Sequence, residues 1–269
     1  MKFSFKKLAL ISIALISLLA CDDSDDQTKD VVVAKGTVSL SFDNVVGNDD
    51  LILTTKDKDD NVITAKTYTN ASGETYEVEE LKYIISNIAL IKDDGGKFNY
   101  PKEESYFVID EADKSSLIVN LENVPVGEYN AIEYGFGVEP EKYPIESGSK
   151  NFVPKAEEKG MLWAWKAGFK FLKFEGTFMD KTANESKDFV YHIGSLGDQQ
   201  NNYKMVEISL SEPIKVLESE NASINLKSDV SKIFNATNVI SIEAKPDIQV
   251  DKENSPKLAA NASAMFSLK

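Results

Sequence analysis

The side chains able to do chemistry in this chain fall in two short stretches. The sequence holds a single histidine, His192, within FVYHIG, and two tryptophans, Trp163 and Trp165, which follow Met161 in MLWAW. Imidazole nitrogen is the commonest protein ligand of metals. His192 could therefore bind a metal ion, although a lone histidine on a strand is more often a hydrogen-bonded polar group.

The two tryptophans have more than one interpretation. Residues i and i+2 of a strand point to the same face, so Trp163 and Trp165 would lie side by side on a sheet. Indoles in this arrangement could flank a metal site, could stack on a ligand, or could be large pieces of core. Met161 has matching alternatives, as a thioether ligand or as core filler.

Familiar catalytic motifs are missing from the sequence. It contains no G-x-S-x-G elbow, no Walker loop and no G-x-G-x-x-G, so we expect no enzymatic activity. It also contains no arginine, which removes bidentate recognition of phosphate. A formal net charge of −14 argues against binding to nucleic acid.

The N-terminus predicts export and a lipid anchor. Residues 1–20 combine lysines with an apolar run too short to span a membrane, as in a secretory signal peptide. The sequence LLAC, ending at Cys21, resembles a bacterial lipobox, in which the cysteine is acylated and becomes the new N-terminus. Residues 21–35 begin with an acidic run and predict a disordered tether. The acidic run also resembles the surface-export signal of Bacteroidetes lipoproteins, so we expect an outer-membrane lipoprotein exposed at the cell surface.

Residues 36–269 have the pattern of a β domain. The stretch Gly36–Phe42 alternates between apolar and polar residues, and Tyr83–Ile91 is apolar on both parities, as in a central strand. Turn signals separate these runs, and only Ser228–Phe234 has a helical pattern, with Ser228 as its cap. We therefore expect an all-β fold, an antiparallel β-sandwich with one short helix, in one domain.

The strand that carries the histidine directs successive side chains to opposite faces. Val190 and His192 should lie on one face of the sheet, and Phe189, Tyr191 and Ile193 on the other.

An acidic stretch, Asp57–Asn61, has oxygen-bearing side chains at alternate positions, like the start of a calcium loop. Val62 stands where such a loop needs glycine, and Tyr68 stands where it needs glutamate. An exposed acidic hairpin loop is therefore the better interpretation.

Several short stretches occur in a characteristic order: VSLSF at 38–42, YTN and GETY at 68–76, LKYIISNI at 81–88, YNAIEYGFGV at 129–138, MLWAW and GFKF at 161–171, and HIG at 192–194. In this order they resemble the MbnP-like family of bacterial copper-binding proteins. The resemblance extends over roughly residues 36–268, which is nearly the whole domain.

The resemblance implies a β-sandwich and a copper-handling role in the periplasm or at the cell surface. In characterised members, Cu(I) is held by histidines together with a kynurenine made by oxidising a tryptophan, and a dihaem peroxidase-like partner is implicated in that oxidation. Here the resemblance implies a copper site around His192, Trp163, Trp165 and Met161. This chain departs from the family in its histidine count, because His192 alone cannot supply a site with two histidines.

Two hypotheses follow for the function. The first is a surface lipoprotein that binds copper near His192 and the tryptophans. The second is a non-enzymatic β-sandwich that serves as a binding or adhesion module, in which exposed indoles stack on a carbohydrate or a protein partner.

Acylation at Cys21 gives the first testable prediction. A Cys21→Ser protein should remain unacylated and move from the membrane fraction to the soluble fraction, as fractionation and intact mass would show. The lipobox interpretation is wrong if the wild-type protein carries no acyl mass and the variant still sediments with membranes.

Overall fold

Alternation along the chain produces a core between two sheets. In a computed structural model that describes residues 33–140, 152–164, 168–195 and 200–269, the first strand buries Val38, Leu40 and Phe42 on one face. The Phe42 ring makes edge contacts with Tyr83 and Tyr134, which belong to strands of the other sheet. These contacts join the two sheets as a sandwich, and residues Val33–Lys269 form one compact unit.

The strands of the described residues are β1 Lys35–Val46, β2 Asp49–Asp50, β3 Thr55–Lys56, β4 Val62–Thr64, β5 Tyr68–Thr69, β6 Thr75–Ile91, β7 Lys97–Asn99, β8 Tyr106–Asp110, β9 Ile118–Pro125, β10 Gly127–Phe136, β11 Lys170–Asp180, β12 Glu185–Gly194, β13 Lys204–Val216, β14 Asn221–Asp229, β15 Asp247–Ile248 and β16 Phe266–Leu268.

These strands form two large sheets and one small hairpin within the described part of the chain. One sheet has the order β16-β14-β1-β2, with β9 also paired to β1. The other has the order β13-β10-β6-β11-β12-β15, with β5, β7 and β8 also paired to β6, while β3 and β4 pair separately. The all-β prediction is confirmed.

The pairing is mixed, where the sequence predicted an antiparallel sandwich. Strand β1 pairs in parallel with β14, and β12 pairs in parallel with β15. Both parallel pairs join strands that are far apart in sequence, and intervening strands and helices provide the long connections that parallel pairing needs.

The helices also differ from the expected single short helix. The structure contains α1 at Phe152–Glu158 and α2 at Asn254–Ser263. The stretch predicted as the helix forms only a 3₁₀ helix at Val230–Ile233, and its cap is Asp229, whose side chain accepts a hydrogen bond from the Ser231 backbone amide. Two further 3₁₀ helices span Lys102–Glu104 and Lys114–Leu117. No helix in the described ranges has both the length and the apolar character needed to cross a membrane.

Ile240 and Ile242, whose alternation predicts another strand, lie instead in an irregular segment. Both side chains are buried, and the segment is held by the buried carboxylate of Glu74. That carboxylate accepts hydrogen bonds from the Ser241 hydroxyl and from the backbone amides of Ile242 and Glu243. Side-chain anchoring replaces the strand ladder here, so the backbone amides are satisfied without a neighbouring strand.

Strand β6 is the central strand, as the apolar stretch Tyr83–Ile91 predicts. It pairs with β5, β7, β8, β10 and β11, and its apolar residues Ile84, Ile85 and Ile88 have almost no exposure. Where β11 lies against it, the register shifts by one residue at Glu175/Gly176. A Cβ atom at Gly176 would lie 1.9 Å from the Glu77 carbonyl oxygen, so only glycine allows this close approach.

The burial of Ile85 gives a stability prediction. An Ile85→Asp substitution would place an unpaired charge in the core, at a cost of several kcal/mol that is comparable to the whole folding free energy. We expect loss of the sheet signal in far-UV circular dichroism. The control is Met179→Asp on β11, where the side chain is 43% exposed and the fold should survive. A folded Ile85→Asp protein as stable as the control would contradict the central position of β6.

Candidate functional site

The alternation of β12 places His192 where the sequence predicted. Phe189, Tyr191 and Ile193 are fully buried in the sandwich core, whereas His192 points to the opposite face, here called the outer face. His192 is nevertheless only 7% exposed, because other parts of the chain cover it. The imidazole is therefore held in a defined environment.

Both ring nitrogens of His192 face oxygen atoms. Nε2 lies 2.6 Å from Oε1 of Glu175 on β11, and Nδ1 lies 3.2 Å from Oε1 of Gln249, just after β15. The amide nitrogen of Gln249 donates to both carboxylate oxygens of Asp247, at 3.2 Å each, which fixes the amide oxygen toward the imidazole. The shorter bond joins His192 to a carboxylate, and the longer one to a neutral amide.

Glu175 is ionised in this arrangement. The hydrogen bond from His192 holds the pKa of Glu175 at about 2, against the opposing effect of partial burial and with help from the charge of Lys173. Glu175 lies diagonally across from His192, because the directly opposite residue on β11 is Lys173. Diagonal neighbours on one face of a sheet are within reach of long side chains.

Lys173 links the site to a wider network of charges. Its ammonium lies 3.2 Å from Glu175 and 2.5 Å from Glu80 on β6, and Glu80 also pairs with Lys82 at 2.5 Å. Burial lowers the pKa of Lys173, but its bonds to Glu80 and the nearby carboxylates outweigh this effect and raise it. Glu80 and Glu175 are directly opposite each other on their strands, and Lys173 offsets the repulsion that this position would cause.

Trp163 covers the imidazole from the residues that precede β11. Leu162 forms an isolated antiparallel bridge with Phe169, and the Trp163 amide donates to the Gly168 carbonyl. The indole and imidazole rings lie 5.6 Å apart with an edge-to-face tilt of 63°. On the indole face, the Lys170 ammonium lies 5.3 Å from the ring centre, and burial lowers the pKa of Lys170. Trp163 is 4% exposed, so it belongs to the covering of His192 and not to an open surface.

The structure brings together only part of the predicted site. The rings of Trp163 and His192 lie next to each other. Met161 is fully buried within the hydrophobic core. Trp165 and Cys21 lie outside the described residues, so their predicted roles stay predictions.

Sequence reasoning did not assign a role to Glu175, Gln249 or Lys170. A signal for Glu175 was present, because Lys173 and Glu175 alternate with the buried Leu172 and Phe174 on β11. No comparable signal exists for Gln249, because its approach depends on a pairing between segments 57 residues apart.

The acidic stretch Asp57–Asn61 is an exposed hairpin loop between β3 and β4, as predicted. One Asp57 carboxylate oxygen accepts bonds from the backbone amides of Asp59 and Asn61. The Asn61 side-chain amide also donates to this carboxylate, and that bond, followed by the two backbone bonds, lowers the pKa of Asp57. Over the described ranges, no group of three or more His, Cys, Asp and Glu residues is placed to hold a metal ion.

Comparison with known proteins agrees with this fold. The model of the MbnP family matches residues 35–255, which is most of the chain and includes His192, Glu175, Trp163 and Gln249. The chain belongs to the MbnP family. A solved structure titled "MbnP from Methylosinus trichosporium" matches with a TM-score of 0.50 and 11% sequence identity, covering 81% of this chain and 82% of that chain. A comparison with the curated proteins gives no significant match.

Membership of the MbnP family makes copper the ion to test against these residues. The described residues offer one imidazole, whose Nε2 is bound to a carboxylate and whose Nδ1 faces an amide oxygen. Metal-ligating histidines usually donate their second ring N–H to a carboxylate or a carbonyl, which orients the ring. The bond between Nε2 and Glu175 has this form, which leaves Nδ1, now facing Gln249, as the one imidazole nitrogen for an ion. One nitrogen is not a complete ligand set, and the described residues place no second imidazole or thiolate beside it.

The contact between Trp163 and β12 gives a prediction for this MbnP-family site. A Cβ atom at Gly194 would lie 2.5 Å from the Phe169 carbonyl oxygen and 2.8 Å from the indole nitrogen of Trp163. We expect Gly194→Ala to displace the indole, to cost about 1–3 kcal/mol in the free energy of unfolding, and to shift tryptophan emission.

The matched control is Gly96→Ala, where the nearest atoms belong to the flexible Asp94 carboxylate and little should change. Urea denaturation and fluorescence would measure both variants. Unchanged emission and stability in Gly194→Ala would mean that the indole is not seated against β12.

Proposed function

We propose that this protein is a cell-envelope lipoprotein that binds copper as its cargo, with Nδ1 of His192 as the nitrogen ligand. The observation that carries the proposal is the 2.6 Å bond between Nε2 of His192 and Glu175. It fixes the ring and leaves Nδ1 as the nitrogen that the proposed ion would bind. Membership of the MbnP family supports the same choice of metal.

The surroundings of the imidazole support binding of a cation at low solvent exposure. His192 is covered by the Trp163 indole, and the ionised Glu175 carboxylate supplies negative charge beside the ring. Imidazole suits copper, and the low exposure of His192, 7%, limits competition from water. Trp165 and the thioether of Met161 remain proposed members of the same site.

Two further parts of the proposal concern location and partner. Acylation of Cys21 would attach the protein to the outer membrane, and the following acidic tether would allow the domain to reach the surface. A dihaem peroxidase-like protein is the proposed partner, on the basis of the family resemblance and the nearby tryptophans.

The alternative function, a binding module with exposed stacking indoles, needs two exposed tryptophans, and Trp163 is not exposed. Trp163 is 4% exposed and packs on His192, so it offers no flat surface to a sugar or a partner. That alternative would have to depend on Trp165.

Copper titration tests the proposal. Cu(I) added to the wild-type protein should quench tryptophan fluorescence, because the ion would lie beside the Trp163 indole. His192→Ala should abolish the quenching. Glu175→Gln should weaken binding by about 10- to 100-fold, the usual effect of losing the carboxylate that orients a ligating histidine.

The matched control is Glu133→Gln, which removes a carboxylate paired with Lys97 elsewhere on the same sheet and should leave the titration unchanged. Met161→Leu tests the thioether separately. A lower copper affinity in this variant would identify the Met161 sulfur as a ligand. If His192→Ala titrates like the wild-type protein, the copper assignment fails and the binding-module function takes its place.

A further inference from the structure

We propose that a polar cleft on the sheet containing β1, β9 and β14 binds a neutral oligosaccharide. The cleft has a volume of about 460 Å³ and lies where β1 begins, between the end of β9 and the turn that leads into β14. His192 belongs to β12 of the other large sheet, so this cleft is a separate site. The inference therefore does not rest on copper binding.

Hydroxyl and amide side chains occupy the outward positions of these three paired strands. Alternation buries Val38 and Leu40 of β1 in the core and turns the residues on either side of them outward. The outward residues at and beside the cleft are Thr37, Ser39 and Ser41 on β1, Asn120 on β9, and Asn221, Ser223 and Asn225 on β14. The outer face around His192 is built instead from glutamates and lysines. Asparagine is depleted in strands, so strand stability does not explain its repeated use here.

The Ser39 hydroxyl orients two amides of the cleft. It lies 2.6 Å from Oδ1 of Asn120 and 3.0 Å from Oδ1 of Asn221, and it donates to one of these oxygens at a time. Because both amide oxygens face Ser39, both amide nitrogens point away from it. Neither nitrogen bonds to another group in the part of the chain that the structure describes. Each nitrogen therefore offers two hydrogen-bond donors to a ligand.

Backbone pairing forms the walls of the cleft. The register of β9 against β1 shifts between Gly36 and Val38, so β9 carries one extra residue beside the cleft. The turn before β14 approaches β1 closely, because a Cβ atom at Gly36 would lie 2.3 Å from the Leu217 carbonyl oxygen. The Thr37 amide donates to the Glu220 carbonyl at 2.9 Å, which holds this turn against β1. The cleft is therefore bounded by hydrogen-bonded backbone on both sides.

The chemistry of the lining favours an uncharged ligand rich in hydroxyl groups. The described residues that line the cleft include one cation, Lys35, and two carboxylates, Glu122 and Glu220, in a chain of net charge −14, so an anion would be repelled. The same lining residues include no aromatic or large apolar side chain, whereas protein interfaces depend on such anchors. Sugar hydroxyls both donate and accept hydrogen bonds, as amide groups do. A neutral oligosaccharide therefore matches the lining better than an anion or a protein partner.

Nuclear magnetic resonance titration of the full-length ¹⁵N-labelled protein tests this site. The neutral probes are maltohexaose, cellohexaose, mannohexaose and xylohexaose, and the acidic probe is hexagalacturonic acid. We expect at least one neutral probe to shift the side-chain amide signals of Asn120 and Asn221. The Kd should lie in the millimolar range, because no aromatic ring of the lining stacks on the sugar. The acidic probe should cause smaller shifts.

Two variants locate the binding. Asn120→Asp and Asn221→Asp keep the side-chain shape and can still accept the Ser39 bond, but each removes two donors and should weaken binding by about three- to tenfold. The control is Asn99→Asp, which changes an exposed amide on β7 of the other sheet and should leave the affinity unchanged. Circular dichroism would confirm that each variant is folded, and either of the two cleft variants is sufficient for the test.

Three results would each overturn the proposal. They are the absence of shifts with all four neutral probes, acidic-probe binding as tight as neutral-probe binding, and cleft variants that bind like the Asn99→Asp control. None of them bears on the Cu(I) titration of His192, so failure of this site and failure of the copper assignment are separate outcomes.

Discussion

The alternation of β12 is the constraint on which the site depends. Phe189, Tyr191 and Ile193 must enter the sandwich core, where they have no solvent exposure, and the strand then has to direct His192 to the outer face. On that face the neighbouring strand offers Lys173 and Glu175, because its own Leu172 and Phe174 are needed in the same core. Packing of apolar residues on one side of the sheet thus selects which polar residues meet on the other.

Electrostatic interactions then determine how the charged side chains on the outer face pair with one another. Direct cross-strand pairing sets Lys82 opposite Lys173 and Glu80 opposite Glu175, which would be unfavourable if each pair stood alone. The contacts run instead along the strands and diagonally, so that each ammonium lies near a carboxylate. The imidazole extends this network at Glu175, and the network in turn fixes the ring. Binding of a cation at Nδ1 would use a nitrogen that this network leaves to the neutral Gln249.

The sequence predicted what periodicity controls and missed what pairing at a distance controls. The inward face of β1 and the outward direction of His192 follow from alternation, and the central position of β6 follows from a stretch that is apolar on both parities. The parallel pairs β1–β14 and β12–β15 join distant segments that no local pattern connects, and Gln249 reaches His192 only through the second of them. Helix α2 carried a usable signal, since Pro256 lies in its first turn and an alanine-rich stretch follows.

The fold is shared with the MbnP structure from Methylosinus trichosporium at 11% identity, so the copper assignment depends on the residues around His192 and not on the fold. X-ray absorption spectroscopy of the Cu(I)-loaded full-length protein tests that assignment most directly, because imidazole ligation gives a characteristic outer-shell scattering pattern. The account predicts scattering from one imidazole in the spectrum of the wild-type protein. That scattering should be absent from the spectrum of any copper that the His192→Ala protein retains. Copper bound without imidazole scattering, or an identical spectrum in the variant, would contradict it.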